Sequence, residues 1–350
     1  MWGPMNPRIK ATVGAGAVTF LLFISGLLVW LTPIPLLFQF RKNGRVGALI
    51  SFAIAILAVA LVYFGIVPWV VSHWGHGQSS SIFFWLPGLG PVNEMSWHPG
   101  FFGLSYLVFY GLIGIFLGFW EPRERQVTRL VGKTLLILTG ALVLWFFIMS
   151  KGHLLNFIND AETYFGLLLK QMADQIPADS TPEIREQMVA LKTYGDTIVY
   201  YAVRLIPGML VSMSLFIIWL NLVVARKLFI KESFFKKLGP LRNWQLPFGF
   251  VWFLIGLAAL LIADIYVLHW HVFEILALNF FLVFGLCYFL QGLAILAFFG
   301  QKWSIPPLLR LIGYLIFLLF FQPIGVLLLG VGFFDSWFDF RKLTAKPKES

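Results

Sequence analysis

Residues Ile275–Phe299 read ILALNFFLVFGLCYFLQGLAILAFF, an unbroken run without a charged side chain. As an α-helix such a run is longer than the ~30 Å hydrocarbon core of a bilayer. Strands are excluded by the same run, because the strands of a membrane barrel alternate polar and apolar side chains at every second position. Val46–Val71 has the same character, and Leu130–Met149 departs from it only at Lys133. Working outward, eight apolar blocks can be drawn, at 11–40, 46–71, 101–120, 130–149, 199–225, 248–268, 275–300 and 307–338. Over the whole chain 59% of residues are hydrophobic and 12% charged, against roughly a quarter charged in soluble domains. A water-soluble fold could not cover that much apolar surface.

The first and last blocks are too long for one crossing, and each carries proline near its middle: Thr32-Pro33-Ile34-Pro35 and Gln322-Pro323-Ile324-Gly325. Proline removes an amide donor and clashes with the preceding turn, so these are natural breaks. Charge decides how they are read. Breaking both end blocks into short hairpins leaves only Lys151, Lys170, Arg185, Lys192 and Arg204 facing outward, and the other 21 of 26 basic residues face the cytoplasm, as the positive-inside bias expects. The expected fold is therefore all-α: a polytopic transmembrane helical bundle of 8 to 10 membrane segments, with Pro-broken first and last blocks. It is expected as one integral membrane domain over 1–350, in the bacterial cytoplasmic (inner) membrane, with both termini cytoplasmic.

Three stretches stand apart from the spans. Residues 154–198 carry Leu154, Phe157, Ile158, Ala161, Phe165, Leu168 and Met172 at helical spacing, then a second stripe of Ile184, Met188, Leu191 and Ile198, continued beyond the stretch by Ala202, after Ser180 and Glu183 in capping-box spacing. They predict an external amphipathic helical hairpin continuous with the neighbouring spans. Residues 72–100, rich in Gly, Ser, Trp and His, predict an irregular external cap. Residues 226–247 predict a basic amphipathic segment on the anionic inner leaflet, with Phe234 and Phe235 in lipid.

The net charge of +10 comes from short clusters beside apolar blocks, with no basic stripe interleaved with aromatics, so nucleic acid is not an expected partner. Membrane lipid is. Cys287 is the single cysteine and sits inside an apolar block, which leaves no disulfide framework. No HExxH, GxSxG or phosphate loop is present, so neither an enzyme nor a cofactor is expected. Asp264 and Arg204 are the ionisable residues placed within apolar blocks. They read either as a charge pair lining an outward cavity with His269 and His271, or as hydrated groups near the outer interface. All six histidines fall on the predicted outer side beside tryptophans, and an interfacial aromatic belt accounts for them without a metal. Asn221, Asn279 and Gln291 read as interhelical hydrogen-bond partners.

Three stretches resemble the YybS-like family of bacterial multi-spanning membrane proteins: Thr32–Pro35 through Arg41–Gly44, with Pro33, Pro35 and Gly44; the span from Leu205-Ile206-Pro207 to Asn221 and Arg226; and the tail Gly332–Lys342, with Asp335, Asp339 and Arg341. That family looks distantly like the substrate-capturing S components of energy-coupling-factor transporters and like the rod-shape protein MreD. The first likeness implies a transport subunit whose small-residue first helix, with Ala11 and Ala15 as the partner-facing pair, packs against a transport partner made of a coupling protein and ATPase subunits. The second implies a non-transporting scaffold that holds envelope proteins. A reporter fused after Ser350 is expected to be active only in the cytoplasm of intact cells; labelling from the periplasm would invert the predicted orientation of the C-terminal half.

Overall fold

The computed structural model describes residues 6–67, 69, 99–121, 127–174 and 181–343, and these are helical, with no strand among them. Helix α1 (Pro7–Ile24) starts with Asn6 as N-cap, its side chain accepting from the Arg8 amide at 2.9 Å. Pro7 sits in the first turn, where its missing N–H leaves nothing unpaired. The helix stops before the proline signal: Gly26 takes φ 66° and one 3-10 turn covers Val29–Leu31. Helix α2 (Pro33–Leu61) then begins on Pro33 itself. Thr32–Pro35 thus marks a restart, and the break lies on its N-terminal side.

Helix α2 is two arms. Gly44, at φ 77° and ψ −176°, has a backbone conformation that is essentially closed to residues with a Cβ. The arms on either side of it run opposite ways along α3 (Pro99–Phe119). Gly103 and Gly111 of α3 meet Tyr63 and Phe52 of the second arm, whereas Gly114 and Gly118 meet Pro33, Leu36 and Phe40 of the first. Numbering therefore falls along one arm and rises along the other. A Cβ on Gly114 would stand 2.5 Å from the Pro33 carbonyl oxygen, so the close crossing admits only glycine. In α1 the inward position is Gly16, against Ser51 and Ile54 of α2, while Ala11 and Ala15 lie half-buried beside it.

Helix α4 (Val127–Met149) is separated from α5 (Leu154–Asp174) by Lys151 and Gly152, both left-handed, so the hairpin is not continuous with the preceding span. On its other side it is: α6 (Pro182–Leu228) runs 47 residues, about 70 Å. Lys170 lies 4.0 Å from Asp196, and eight residues back along α5 and eight forward along α6, Glu162 pairs with Arg204. That register defines an antiparallel hairpin, with Leu169 closing over Gly195. Ser180 of the expected capping box lies outside the described residues. Glu183 bonds its own amide and the Thr181 hydroxyl, and both contacts hold its carboxyl below the usual range.

Helix α7 (Ser233–Lys237) is the expected basic segment, with a difference. Phe234 and Phe235 are 4% and 1% exposed, and Phe235 approaches Phe229 while Phe234 lies under Arg41. Five residues cannot bury two phenyl rings in lipid and in protein at once, and the interior takes both. After a 3-10 turn at Leu241–Asn243 come α8 (Gly249–Ala263), extended by a π turn over Asp264–Leu268, and α9 (Val272–Lys302). Helix α10 (Pro307–Leu319) folds back along α9, Arg310 donating to the Gly300 carbonyl and Phe317 reaching Phe289. The last block breaks at Phe320, and α11 (Phe321–Phe338) has Pro323 in its first turn. The stretch expected as an external cap lies outside the described residues up to His98, and from Pro99 it is already α3.

Seven helices among the described residues are long and apolar enough to cross a membrane, and two shorter apolar helices, Gly103–Phe119 and Leu308–Phe317, accompany them. Counting the two arms of α2 separately brings the apolar segments to ten, in line with the all-α polytopic reading. The chain groups into two compact units, Met1–Leu138 with Ser214–Leu241 and Thr139–Met213 with Arg242–Ser350. Gly44→Ala is expected to destabilise the first unit by about 1–3 kcal/mol, read as a lower melting temperature in detergent; an unchanged temperature would remove the reversal at Gly44.

Candidate functional site: amides and carboxylates at the helix breaks

Where a helix is interrupted inside an apolar environment, its freed backbone groups need partners, because no water is there to supply them. In the first unit the broken stretch between α1 and α2 receives one from α6. Asn221, fully buried, donates through Nδ2 to the Trp30 carbonyl at 2.8 Å and to Ile217 of its own helix at 2.7 Å. In the second unit Pro207 interrupts α6. Gly208 N and Arg204 O would be each other's partners in an unbroken helix, and Asn279 of α9 bonds both: Oδ1 accepts from Gly208 at 2.6 Å and Nδ2 donates to Arg204 O at 3.0 Å. Glycine at 208 is what lets it in, since a Cβ there would stand 2.7 Å from that Oδ1.

The third amide, Gln291, sits in a denser cluster. Its Oε1 accepts from Leu246 N at 2.9 Å, and its Nε2 donates to Gly332 O and Asp335 Oδ2 at 3.0 and 3.1 Å. Asp335 forms a fully buried ion pair with Arg341 at 2.7 Å and accepts from Phe340 N. Arg341 donates to the Arg242 and Trp244 carbonyls at 2.8 and 2.9 Å. The stretch 242–246, which leaves the 3-10 turn, and the end of α11 are tied to α9 by these bonds. Asp339, left-handed at φ 39°, ends α11 and accepts from Leu343 N at 3.0 Å. In the first unit Arg226 does similar work, donating to the Gly239 carbonyl.

Titratable groups gather where α8 turns into α9. Asp264 is 2% exposed, and its carboxylate accepts from Trp270 N at 3.1 Å and Glu274 N at 2.9 Å, which caps α9. His269 and His271 both take left-handed conformations in the turn between them. Glu274 accepts from the Tyr201 hydroxyl at 2.7 Å and lies 3.2 Å from His271 Nδ1. Of the four residues expected to line one outward cavity, Asp264, His269 and His271 therefore share the α8–α9 turn. Arg204 instead pairs with Glu162 and stacks 3.7 Å above Tyr200. Glu162 and Tyr201 escaped the sequence reading, since only the hairpin register and the α6–α9 contact bring them in. Among the described residues no group of three or more His, Cys, Asp or Glu is arranged to hold a metal ion.

A family model described as a predicted membrane protein, DUF2232, matches residues 67–336. The chain belongs to the DUF2232 family. The YybS-like resemblance is consistent with this. No curated protein and no solved structure matches the chain. The DUF2232 stretch takes in Pro207, Asn221, Arg226, Asp264, Asn279, Gln291 and Asp335, and it leaves Ala11, Ala15, Pro33, Pro35, Gly44, Asp339 and Arg341 on its flanks.

Asn279→Ala is expected to cost about 1–2 kcal/mol of stability in detergent, with Asn279→Asp intermediate because it keeps the acceptor for Gly208. In a Pro207→Ala background, where α6 can close its own ladder, the Asn279→Ala loss should fall to about half. An equal loss in both backgrounds would show that Asn279 does not repair the proline break.

Proposed function

We propose that this DUF2232 protein is a non-enzymatic membrane scaffold of the MreD-like type, which presents the α5–α6 hairpin to envelope protein partners. The observation that supports this reading is the surface of the hairpin. Tyr164, Phe165 and Leu167 on α5 and Val189 on α6 are 39%, 45%, 55% and 65% exposed, on stretches that lie outside the candidate spans. Large apolar side chains left exposed beyond the bilayer are a usual mark of a protein contact. The polar side chains add support, because Asn279, Gln291, Asp264 and Asp335 are engaged with backbone groups that hold the fold.

A second reading, a substrate-capturing S-component-like subunit served by a coupling protein and ATPase subunits, is favoured by one feature. Asp264, His271, Glu274, Tyr201, Arg204 and Glu162 lie on adjoining elements, and convergent ionisable groups in a membrane protein mark solute paths. Photo-crosslinking in cells from position 164 separates the two. Phe165→Gln with Leu167→Gln should abolish crosslinks to envelope proteins without lowering the melting temperature, and Asp264→Asn with Glu274→Gln should leave them intact. Crosslinks that persist in the first variant defeat the scaffold reading. Loss of accumulation of a solute in the second, with crosslinks unchanged, would favour transport.

A further inference from the structure

The first unit contains a small polar cavity of about 190 Å3, lined by Arg41, Glu121, Glu232, Ser233, Phe234 and Lys237. Its position follows from three chain ends. Arg41 closes the first arm of α2 just before the Gly44 reversal, Glu121 follows α3, and Glu232–Lys237 form α7 and the residue before it. Arg41 is held from two sides: it donates to the Trp120 carbonyl, and its guanidinium lies 4.1 Å over the buried Phe234 ring. Its Nε is shielded from solvent and has no hydrogen-bond partner. Trp120 in turn lies 4.5 Å under the Lys133 ammonium, a pairing typical of the membrane–water boundary, where tryptophan and lysine both collect.

The charges in this cavity balance, two basic groups against two carboxylates. A bare anion would meet Glu121 and Glu232, and a bare cation would meet Arg41 and Lys237. A group that carries a phosphate and a primary ammonium side by side meets neither penalty. The volume also selects, being below the roughly 300–1,000 Å3 of sites for drug-sized ligands and of headgroup size. We propose that this cavity binds a phosphoethanolamine group, the head of a zwitterionic membrane lipid, with the phosphate on Arg41, Lys237 and Ser233 and the ammonium on Glu121 and Glu232. The second arm of α2 leaves the Gly44 turn with Val46, Leu49 and Ile50 exposed, an apolar track of the kind acyl chains require.

The test reconstitutes the full chain in nanodiscs of phosphatidylethanolamine and phosphatidylglycerol in equal amounts, extracts it in mild detergent, and counts retained lipids by native mass spectrometry. Retention of phosphatidylethanolamine over phosphatidylglycerol by about tenfold is expected, the equivalent of one well-made charged contact. Glu232→Lys and Lys237→Glu alter exposed side chains and should fold normally, and each should bring the ratio close to one. Equal retention of the two lipids by the unaltered chain, a preference for phosphatidylglycerol, or a preference that survives both variants would overturn the proposal. Adding excess soluble phosphoethanolamine separates the sources. Lipid that stays bound assigns the site to a membrane lipid, and complete displacement overturns that source in favour of a free phosphorylated amine.

Discussion

The structure depends on one constraint: a peptide group removed from water must find its partner within the protein. Uninterrupted helices meet it by themselves, so most of this chain needs only apolar side chains. The demand becomes visible where helices stop. At Trp30, at Arg204 and Gly208 and along 242–246, freed carbonyls and amides are taken up by Asn221, Asn279, Gln291 and Arg341. Such bonds are modest singly, averaging below about 1 kcal/mol in membrane bundles. Leaving the same groups unpaired is the costlier alternative.

Glycine and proline act together with these side chains. Proline opens the ladder of α6 at Pro207, and glycine at 208 admits the amide that repairs it. At Gly292 and Gly332 the backbones of α9 and α11 approach so closely that no side chain fits between them, and Gln291 is then near enough to reach the Gly332 carbonyl. Small residues set the distance, and the amides make use of it. The buried Asp335–Arg341 pair belongs to the same scheme. By itself a buried ion pair contributes little net stability, but here Arg341 also binds the Arg242 and Trp244 carbonyls and Asp335 also accepts from Gln291 of α9, so the pair fixes which segments meet.

The spans were legible in the sequence because length and apolarity are local properties. The proline breaks were legible for the same reason, although the first falls earlier than Thr32–Pro35, since Pro33 serves as a helix start and the disruption is carried by Gly26 and the residues after it. Asn221, Asn279 and Gln291 could be recognised as interhelical partners from burial cost alone. Their partners could not, because the register of α6 against α9 is set by contacts far apart in sequence. Arg204 shows the limit most plainly. Its place in the hydropathy pattern allowed either a pair with Asp264 or a hydrated group near the interface, yet the hairpin register delivers Glu162, and Asp264 is occupied in capping α9. Phe234 and Phe235 were read by composition as lipid-facing, and packing against Phe229 and Arg41 drew them inward.

The clasp around Asp335 also dictates an order of events during biosynthesis. Arg341 leaves the ribosome long after α9 has been handed to the insertion machinery, and until it arrives the stretch 242–246 and the carboxylate of Asp335 have no cation to gather around. The second unit can therefore lock only once Arg341 has been made. A chain cut short between Phe338 and Arg341 would have its spans made and this fastening open, a species that membrane quality control is equipped to find.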